Sequence, residues 1–492
     1  MSATLPVTLD AVSDVLRSAG LLTEARATGD VAVRGVSQDS RATRAGDLFL
    51  AWAGTAADAH DFVPEAVRQG AVATVVERRL AIDVPQLVVR DGRRAAALAA
   101  DVVLGYPSRR LRAFGVTGTN GKTTTAILIR HLMGPEVPTA VIGTLGLIDQ
   151  RGVRAGSEKL TTPGPVQVAV WLRELADGGL SAVVFEASSH ALAQHRLDAL
   201  KFEVVVFTNL SQDHLDYHAD LAEYFAAKAR LVELAAEHGT VVVNRDDRAW
   251  DRLDTLRHRV RTFGIDRAAD VSAHDLRLDA HGASFTLRVD GEERRVRTPL
   301  VARHNVENAL AATAAALAAG VSLDRVVERL GTAPQVSGRL EAVVTEPFTV
   351  LIDFAHTPAA LASALVAVKP LTRGRLIVLF GAGGDRDRAK RRPMAEAVAR
   401  VADLIVLTSD NPRTEDPERI LDDLAEGLAG VEYRRVSDRR AAIEAALQMA
   451  RPGDTVVLAG KGHERYQVIG TEKRPFDERD VVAECLARAE AK

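Results

Sequence analysis

Short uninterrupted runs of Val, Ile, Leu and Phe alternate with Ala-rich stretches of helical spacing over most of the chain. VATVVE (72–77), LRAFGVTG (111–118), SAVVFEASS (181–189), FEVVVFTN (202–209) and GTVVVN (239–244) read as strands apolar on both faces. RLIVLFG (375–381), DLIVLTSD (403–410) and DTVVLAG (454–460) continue the series. Strands with no polar alternation, separated by helices, predict mostly parallel sheets covered on both sides, so the fold class is α/β. One segment breaks the rule. Residues 269–300 alternate polar and apolar positions around an Asp-Gly turn, which predicts an antiparallel insertion in the middle domain.

Two changes in pattern suggest domain limits. Gly, Pro and Arg interrupt the series at LGYPSRRLR (104–112), and a fresh strand, EPFTVLIDFAH (346–356), follows GTAPQVSGRLE (331–341). Three domains result, 1–107, 108–331 and 332–492, a division that suits a chain of 492 residues.

Composition narrows the function classes. Hydrophobic residues at 47% and charged residues at 26% suit a packed globular chain and exclude a disordered or collagen-like one. A net charge of −3 supplies no electrostatic drive toward nucleic acid or an anionic membrane. The one cysteine, Cys485, excludes an intramolecular disulfide framework and Cys-based metal sites, and reads as a helix-packing residue. The N-terminus lacks the basic-then-apolar order of a signal peptide, and no apolar run approaches membrane-spanning length, so the expected location is the cytoplasm.

The sharpest chemical signal is FGVTGTNGKTTT (114–125), a strand entering Gly118, Thr119, Asn120, Gly121, Lys122, Thr123 and Thr124 and then a helix. Glycines let backbone N–H groups turn toward phosphate oxygens, and the helix N-terminus adds a favourable dipole. Lys122 offers a charge to the outer phosphates of ATP and Thr123 a hydroxyl to Mg²⁺. Val116 stands where a full Walker A loop has its first glycine.

Glu186 closes a buried strand, the place where ligands collect in doubly wound sheets. Taken alone, it fits a Mg²⁺ ligand and an ordinary helix-start carboxylate equally well. TNLSQDHLDYH (208–218) gathers Asp213, His214, Asp216 and His218 after the next strand, which suggests a second cation site. Lys228, in YFAAKARL (224–231), is by composition a solvated helix lysine.

Together these segments resemble the Mur ligase family, ATP-dependent amide-forming enzymes of peptidoglycan assembly. TGTNGKTTT, EASSHALAQHR, TNLSQDHLDYH, HNVENALAA (304–312), SGRLE (337–341), DFAHTP (353–358), GAGGDRDRAKR (381–391) and AGKGHERYQ (459–467) occur in the family's order. The resemblance implies an N-terminal domain for a UDP-linked substrate, a central phosphate-loop ATPase domain and a C-terminal ligase domain of Rossmann-like shape. DSRATRAGDLFLAWAG (39–54), TTP at 161–163 and DNPR at 410–413 point to members that add a diamino acid to the D-glutamate of UDP-N-acetylmuramoyl-L-alanyl-D-glutamate.

By position, the resemblance implies that Gly118 to Thr124, Asn308, Arg339 and Asp353 hold ATP. Thr123, Glu186, His214 and a carbamylated Lys228 would hold Mg²⁺, with Lys122, His214 and Lys228 in catalytic roles. Ser40, Thr55, Ala56, Ala57, Thr161, Thr162, Ser188, Gln194 and Arg196 would hold the muramoyl dipeptide. Arg386, Asp410, Asn411, Pro412, Arg413, Gly460 and Glu464 would hold diaminopimelate. Leu160 departs from relatives that carry Asn before TT. The partners implied are these small molecules alone, and a monomer is the family-level expectation.

The chemistry suits these residues. Amide formation in water is uphill, so ATP first converts the carboxylate to an acyl phosphate, which the amine attacks with expulsion of phosphate. Phosphoryl transfer depends on positioning and charge neutralisation, the work of Lys122 and Mg²⁺. Diaminopimelate carries a distal carboxylate that lysine lacks, and Arg413 can bind it through paired charge-assisted bonds. SDNPRTEDP (409–417) is also a turn by its Asn-Pro step, and loops after strands carry specificity. Two alternatives stand beside this reading. Folylpolyglutamate synthetase shares the phosphate loop but not the DSR…GDLF and DNPR segments. A regulatory ATPase would explain the central domain and leave HNVENALAA, GAGGDRDRAKR and AGKGHE without a purpose.

Overall fold

The computed structural model describes residues 6–26, 31–54, 57–154, 160–214, 217–279 and 281–490. The chain forms two compact units, Met1–Ser272 with Leu310–Val326, and Ala273–Ala309 with Val327–Lys492.

In the first unit a five-stranded sheet runs in the order Leu22–Arg26, Gln86–Val89, Ala73–Val76, Asp47–Leu50, Gly35–Ser37. All neighbours are parallel except the first pair. Side chains alternate along Asp47–Leu50 and just beyond. Leu48 and Leu50 join the core under the helices Leu9–Ser18 and Gly92–Val103, and Phe49 and Ala51 join the opposite one with Val63 and Ala66.

A second sheet in this unit places Thr139–Gly143, Ala182–Glu186, Arg112–Thr117, Phe202–Phe207, Ala235–Asn244 and Arg259–Gly264 side by side, all parallel. Gly146–Asp149 adds an antiparallel strand beside Thr139–Gly143. The register sets Glu186 opposite Val116 and Phe207 opposite Thr117. Three strands therefore end at one level, and the chain leaves each of them toward the same edge. The apolar runs read from the sequence extend past the observed strands at this edge, taking in Ala187–Ser189 and Thr208–Asn209. Those extra residues belong to the site.

The second unit contains the expected antiparallel insertion. Gly282–Val289 pairs with Glu292–Thr298 around Asp290 and Gly291, both at positive φ (50° and 93°), the backbone a two-residue hairpin turn requires. Its main sheet runs Glu341–Val344, Thr349–Asp353, Thr455–Ala459, Leu376–Phe380, Leu404–Leu407, Arg434–Arg435. Only the first pair is antiparallel. Cys485 packs against the core on one face of this sheet, as its sequence context suggests.

Asp454 anchors the start of the strand Thr455–Ala459. Its buried carboxylate accepts from the N–H groups of Arg375 (2.7 Å) and Arg451 (3.0 Å) and from the Arg375 guanidinium (2.6 Å). Burial alone would push this carboxyl up, but Arg375 and the two N–H groups hold it below the usual carboxylate range. Asp454→Ala should cost about 2–3 kcal/mol in denaturant unfolding of this unit, because two backbone donors lose their acceptor. The depressed folded value makes the contribution complete above about pH 4 and lost as pH falls through it, which a midpoint series against pH would show.

Candidate active site

The strand Arg112–Thr117 is buried and delivers the glycine-rich loop to the sheet edge. Gly118 sits at φ 146°, and a Cβ there would lie 1.9 Å from the Thr208 hydroxyl oxygen. Gly121, at φ 84°, turns the chain into the helix Lys122–Met133. The neighbouring strand end pins the loop: the Thr208 hydroxyl donates to the Asn120 carbonyl (2.6 Å), and Asn209 accepts from Asn120 N–H through its side chain (2.9 Å). The Asn209 carbonyl accepts from Thr119 N–H (2.7 Å). Lys122 Nζ reaches back over the loop to the carbonyls of Gly118 and Thr119, 2.8 Å each. A glycine-rich turn into a helix N-terminus with a lysine folded over it has a form that suits a phosphate group.

Glu186 is 1% exposed at the end of its strand. Its carboxylate accepts from the Thr123 hydroxyl (2.8 Å), the Thr144 hydroxyl (3.1 Å) and the Thr144 N–H (2.9 Å). Gly143 makes room for it, since a Cβ there would fall 2.0 Å from Glu186 Oε1. The sequence-predicted pair Thr123 and Glu186 thus meets at the helix N-terminus, an all-oxygen donor set of the kind hard cations take.

Lys228 is not a solvated helix lysine. It is 1% exposed, its Nζ donates to the Gly118 carbonyl (2.8 Å), and it lies 4.4 Å over the Tyr224 ring. Burial, then the nearby Lys122 cation, hold its amine well below the usual lysine range, with Asp213 opposing. Tyr224, whose hydroxyl is 3.3 Å from that of Thr119, is pushed up to about 12 by burial. His214, at φ 54°, is half exposed, 4.9 Å from the His190 ring and 6.1 Å from Tyr224. His218 is buried among the rings of Tyr224, His190 and Tyr217. Asp216 lies outside the described residues. Among the described residues no three His, Cys, Asp or Glu side chains form a closed metal cage.

From Glu186 a hydrogen-bonded series leads away from the phosphate loop. The Thr162 hydroxyl donates to the Glu186 carbonyl (2.6 Å) and accepts from Ser188 N–H (3.2 Å), with the Ser188 hydroxyl 3.1 Å away. Arg196 donates to the Thr162 carbonyl (2.6 Å) and to the Gln194 side chain (2.7 Å), and Gln194 reaches the Tyr217 hydroxyl (3.1 Å). The Thr161 hydroxyl lies 3.4 Å from that of Thr144. Five residues predicted to hold one substrate, Thr161, Thr162, Ser188, Gln194 and Arg196, are therefore brought together. Ser40 opens a short turn in the N-terminal part, and Ala57 accepts from Gly54 N–H (3.0 Å). Neither is a member of the series from Glu186 to Tyr217. Thr55 and Ala56 lie outside the described residues.

The second unit carries the remaining predicted residues. Asp353 accepts from Leu340 N–H (2.7 Å) and Ala355 N–H (2.8 Å); burial pushes its carboxyl up and Arg339 opposes this. The Arg339 guanidinium lies 5.3 Å from the Phe354 ring centre. Asn308 is buried and donates to Asn305 (3.2 Å).

The loops after Leu404–Leu407, Leu376–Phe380 and Thr455–Ala459 gather the other set. Arg413, at φ 53°, donates from its guanidinium to the Gly384 carbonyl (2.7 Å) and forms no ion pair with a described carboxylate. A Cβ on Gly383 would lie 2.8 Å from that guanidinium and 3.7 Å from Arg386 Cγ, and one on Gly384 would lie 1.9 Å from the Pro412 carbonyl. Arg386 lines an open cleft of about 650 Å³ with Arg388, Thr414 and Glu415. Asn411 donates to Glu464 (2.8 Å), and Asp410 Oδ2, buried without a hydrogen-bond partner, faces Gly460, whose Cβ would be 2.4 Å from it. All seven predicted residues converge here.

Sequence reasoning missed Gly143, Thr144 and Tyr224 around the loop, and Lys461 and Arg439 under the second set. Only Lys461 had a visible signal, its place inside AGKGHE.

Three family models match in succession. They are the Mur ligase family catalytic domain over residues 32–115, the Mur ligase middle domain over 116–316 and the Mur ligase glutamate ligase domain over 338–462. The chain is 41% identical over 481 residues to the UDP-N-acetylmuramoyl-L-alanyl-D-glutamate–2,6-diaminopimelate ligase of Gloeobacter violaceus, covering 96% of this chain and 98% of the relative. A solved structure of a ligase of the same description is 33% identical with a TM-score of 0.72, over 99% of this chain and all of its own. Folylpolyglutamate synthase of Mycobacterium tuberculosis shares the fold at 20% identity and a TM-score of 0.60, over 81% of this chain and 95% of its own.

The crowding at Gly118 sets an expectation. Gly118→Ala should abolish binding of a fluorescent ATP analogue while leaving the circular dichroism spectrum unchanged, since its Cβ displaces Thr208 and loosens the loop. Binding retained within about threefold would show that the loop does not hold phosphate.

Proposed function

The chain belongs to the Mur ligase family, and we propose that it joins 2,6-diaminopimelate to the D-glutamate of UDP-N-acetylmuramoyl-L-alanyl-D-glutamate, with ATP converted to ADP and phosphate. The three-domain α/β architecture is that of the family. The observation that carries the acceptor is Arg413, fixed by its loop near Arg386 and Asn411 and forming no ion pair with a carboxylate among the described residues. A guanidinium held this way suits an incoming carboxylate.

The chain's own residues explain the chemistry. The γ-phosphoryl group passes from ATP to a carboxylate oxygen of the D-glutamate, giving an acyl phosphate and ADP. Loop N–H groups and Lys122 offset the charge on the transferring oxygens. The neutral amine then attacks the carbonyl carbon and loses a proton, and the tetrahedral intermediate expels phosphate. Thr162, Ser188, Gln194 and Arg196 keep the dipeptide end in line with Glu186 and the loop. Thr123, Glu186, His214 and a carbamylated Lys228 would hold Mg²⁺, which supplies charge neutralisation for the phosphates.

The position of Lys228 supports the carbamate. Burial and the neighbouring cation lower its amine and so favour the neutral form, the one that adds to CO₂; an N–C bond forms and one proton leaves. The product is anionic, which replaces repulsion from Lys122 by attraction. We keep the domain limits at 1–107, 108–331 and 332–492, and we infer a cytoplasmic monomer. No helix among the described residues is long and apolar enough to cross a membrane.

Phosphate release should require ATP, Mg²⁺, the UDP-linked dipeptide and an amine. A diaminopimelate isomer, meso or LL, should exceed L-lysine by about 100-fold in kcat/KM. Preference for lysine would discard the role of Arg413, and indifference to any amine would reopen the enzyme class in favour of a regulatory ATPase. Arg413→Ala should lower kcat/KM for diaminopimelate by roughly 100-fold and move the KM for ATP less than threefold. Equal losses in both would refute the assignment.

Lys228→Ala should lose ligation by about 10³-fold and regain part of it with added acetate or formate. Bicarbonate labelled with ¹³C should give a carbamate resonance in the wild type that is missing from the variant. Full activity of Lys228→Ala would end the carbamate reading.

A further inference from the structure

The strands bearing the two diaminopimelate loops are not neighbours. Leu376–Phe380 lies between Leu404–Leu407, which leads to Asp410, and Thr455–Ala459, which leads to Gly460. No ladder between those two strands can set one loop against the other. Farther along, Arg413 exchanges main-chain bonds with Val468 (3.0 Å) and Gly470 (2.7 Å), and Gln467 donates to the Asp410 carbonyl (2.7 Å); nearer the strand ends, two fully buried cations span the gap. Arg439 donates to the carbonyls of Ser409 (3.2 Å) and Ala459 (2.9 Å), the residues directly before Asp410 and Gly460, and pairs with Glu478 (2.7 Å). Lys461 donates to Asn411 Oδ1 (3.0 Å) and lies 3.4 Å from Glu464 Oε2. Asn411 Oδ1 also accepts from Val468 N–H (2.9 Å), so both of its acceptor sites are taken and its NH₂ must face Glu464.

A buried ion pair contributes little net stability against well-packed apolar residues of the same volume, so core stability gives no reason for Arg439 and Glu478 here. Geometry does. We propose that Lys461 and Arg439 are positioning residues for the incoming amino acid, fixing the Ser409–Arg413 and Ala459–Glu464 loops to each other across the intervening strand. Arg413, Asn411 and Glu464 then meet the ligand as one preorganised set, while neither cation contacts it. The inference rests on the diaminopimelate reading of these loops.

The test uses the full-length enzyme with Lys461→Met and Arg439→Lys, each checked by thermal melting. Lys461→Met should raise the KM for diaminopimelate about 10–100-fold, the range seen when residues that orient a ligand set are removed. Its kcat and its KM values for ATP and the UDP-linked dipeptide should stay within about threefold. Arg439→Lys should give the same split with a smaller rise, and it decides the matter where Lys461→Met does not fold. An unchanged KM for diaminopimelate, or a common loss in kcat and all three KM values, overturns the proposal. Wild type that prefers lysine defeats the functional reading alone, and the same comparison made on lysine still decides this one. Wild type that uses no amine defeats both.

Discussion

Lys122 and Lys228 bring two side-chain amines to a single carbonyl oxygen, that of Gly118, inside a loop whose shape leaves no room for a Cβ. Two ammonium ions cannot share that place in a low dielectric without a large penalty. Burial and the neighbouring Lys122 cation accordingly hold the Lys228 amine well below the usual lysine range, while Lys122 lies over the glycine-rich loop. The residues around the loop fix this arrangement. Thr208 and Asn209 tie down Asn120 and Thr119, and the carboxylate of Glu186, on the adjacent strand, is held by Thr123 and Thr144.

Glu186 has a second consequence. Its carboxylate belongs to the phosphate side, but its main-chain carbonyl starts the series through Thr162 to Arg196 and, beside it, Ser188. On the proposed reading, one residue would therefore set the distance between the phosphates and the groups assigned to the acceptor of the phosphoryl transfer. Such coupling matters because in-line transfer tolerates little misplacement, on the order of 1 Å for a 10²-fold loss.

What the sequence shows and what it hides divide along sequence separation. Strands, the Gly118–Thr124 loop and the Asp410–Arg413 turn are local patterns, and each is found where its residues predict. Thr144 and Glu186 are 42 residues apart and Lys461 and Asn411 are 50 apart; nothing in a local window links them. Lys228 shows the same limit from the other side. Its helix, Leu221–Glu233, looks like any amphipathic helix, and the lysine is buried where it reaches the Gly118 carbonyl, 110 residues away in the chain. Composition assigns it to solvent, family resemblance assigns it to the metal, and the buried position explains why the second is physically reasonable.

The size of the preference for a second carboxylate can be argued from Arg413. A wholly buried donor left without its acceptor would reject the wrong ligand by about 10⁴–10⁵. Arg413 is only half buried, and its guanidinium already donates to the Gly384 carbonyl, so with lysine bound a water molecule can satisfy what remains. The loss is then the difference between a charge-assisted pair and a hydrated guanidinium, about 2–3 kcal/mol. That difference corresponds to roughly two decades in kcat/KM. On the same reading, selectivity beyond this would come not from Arg413 alone but from how firmly Asn411 and Glu464 hold the other end of the ligand, the role proposed for Lys461 and Arg439.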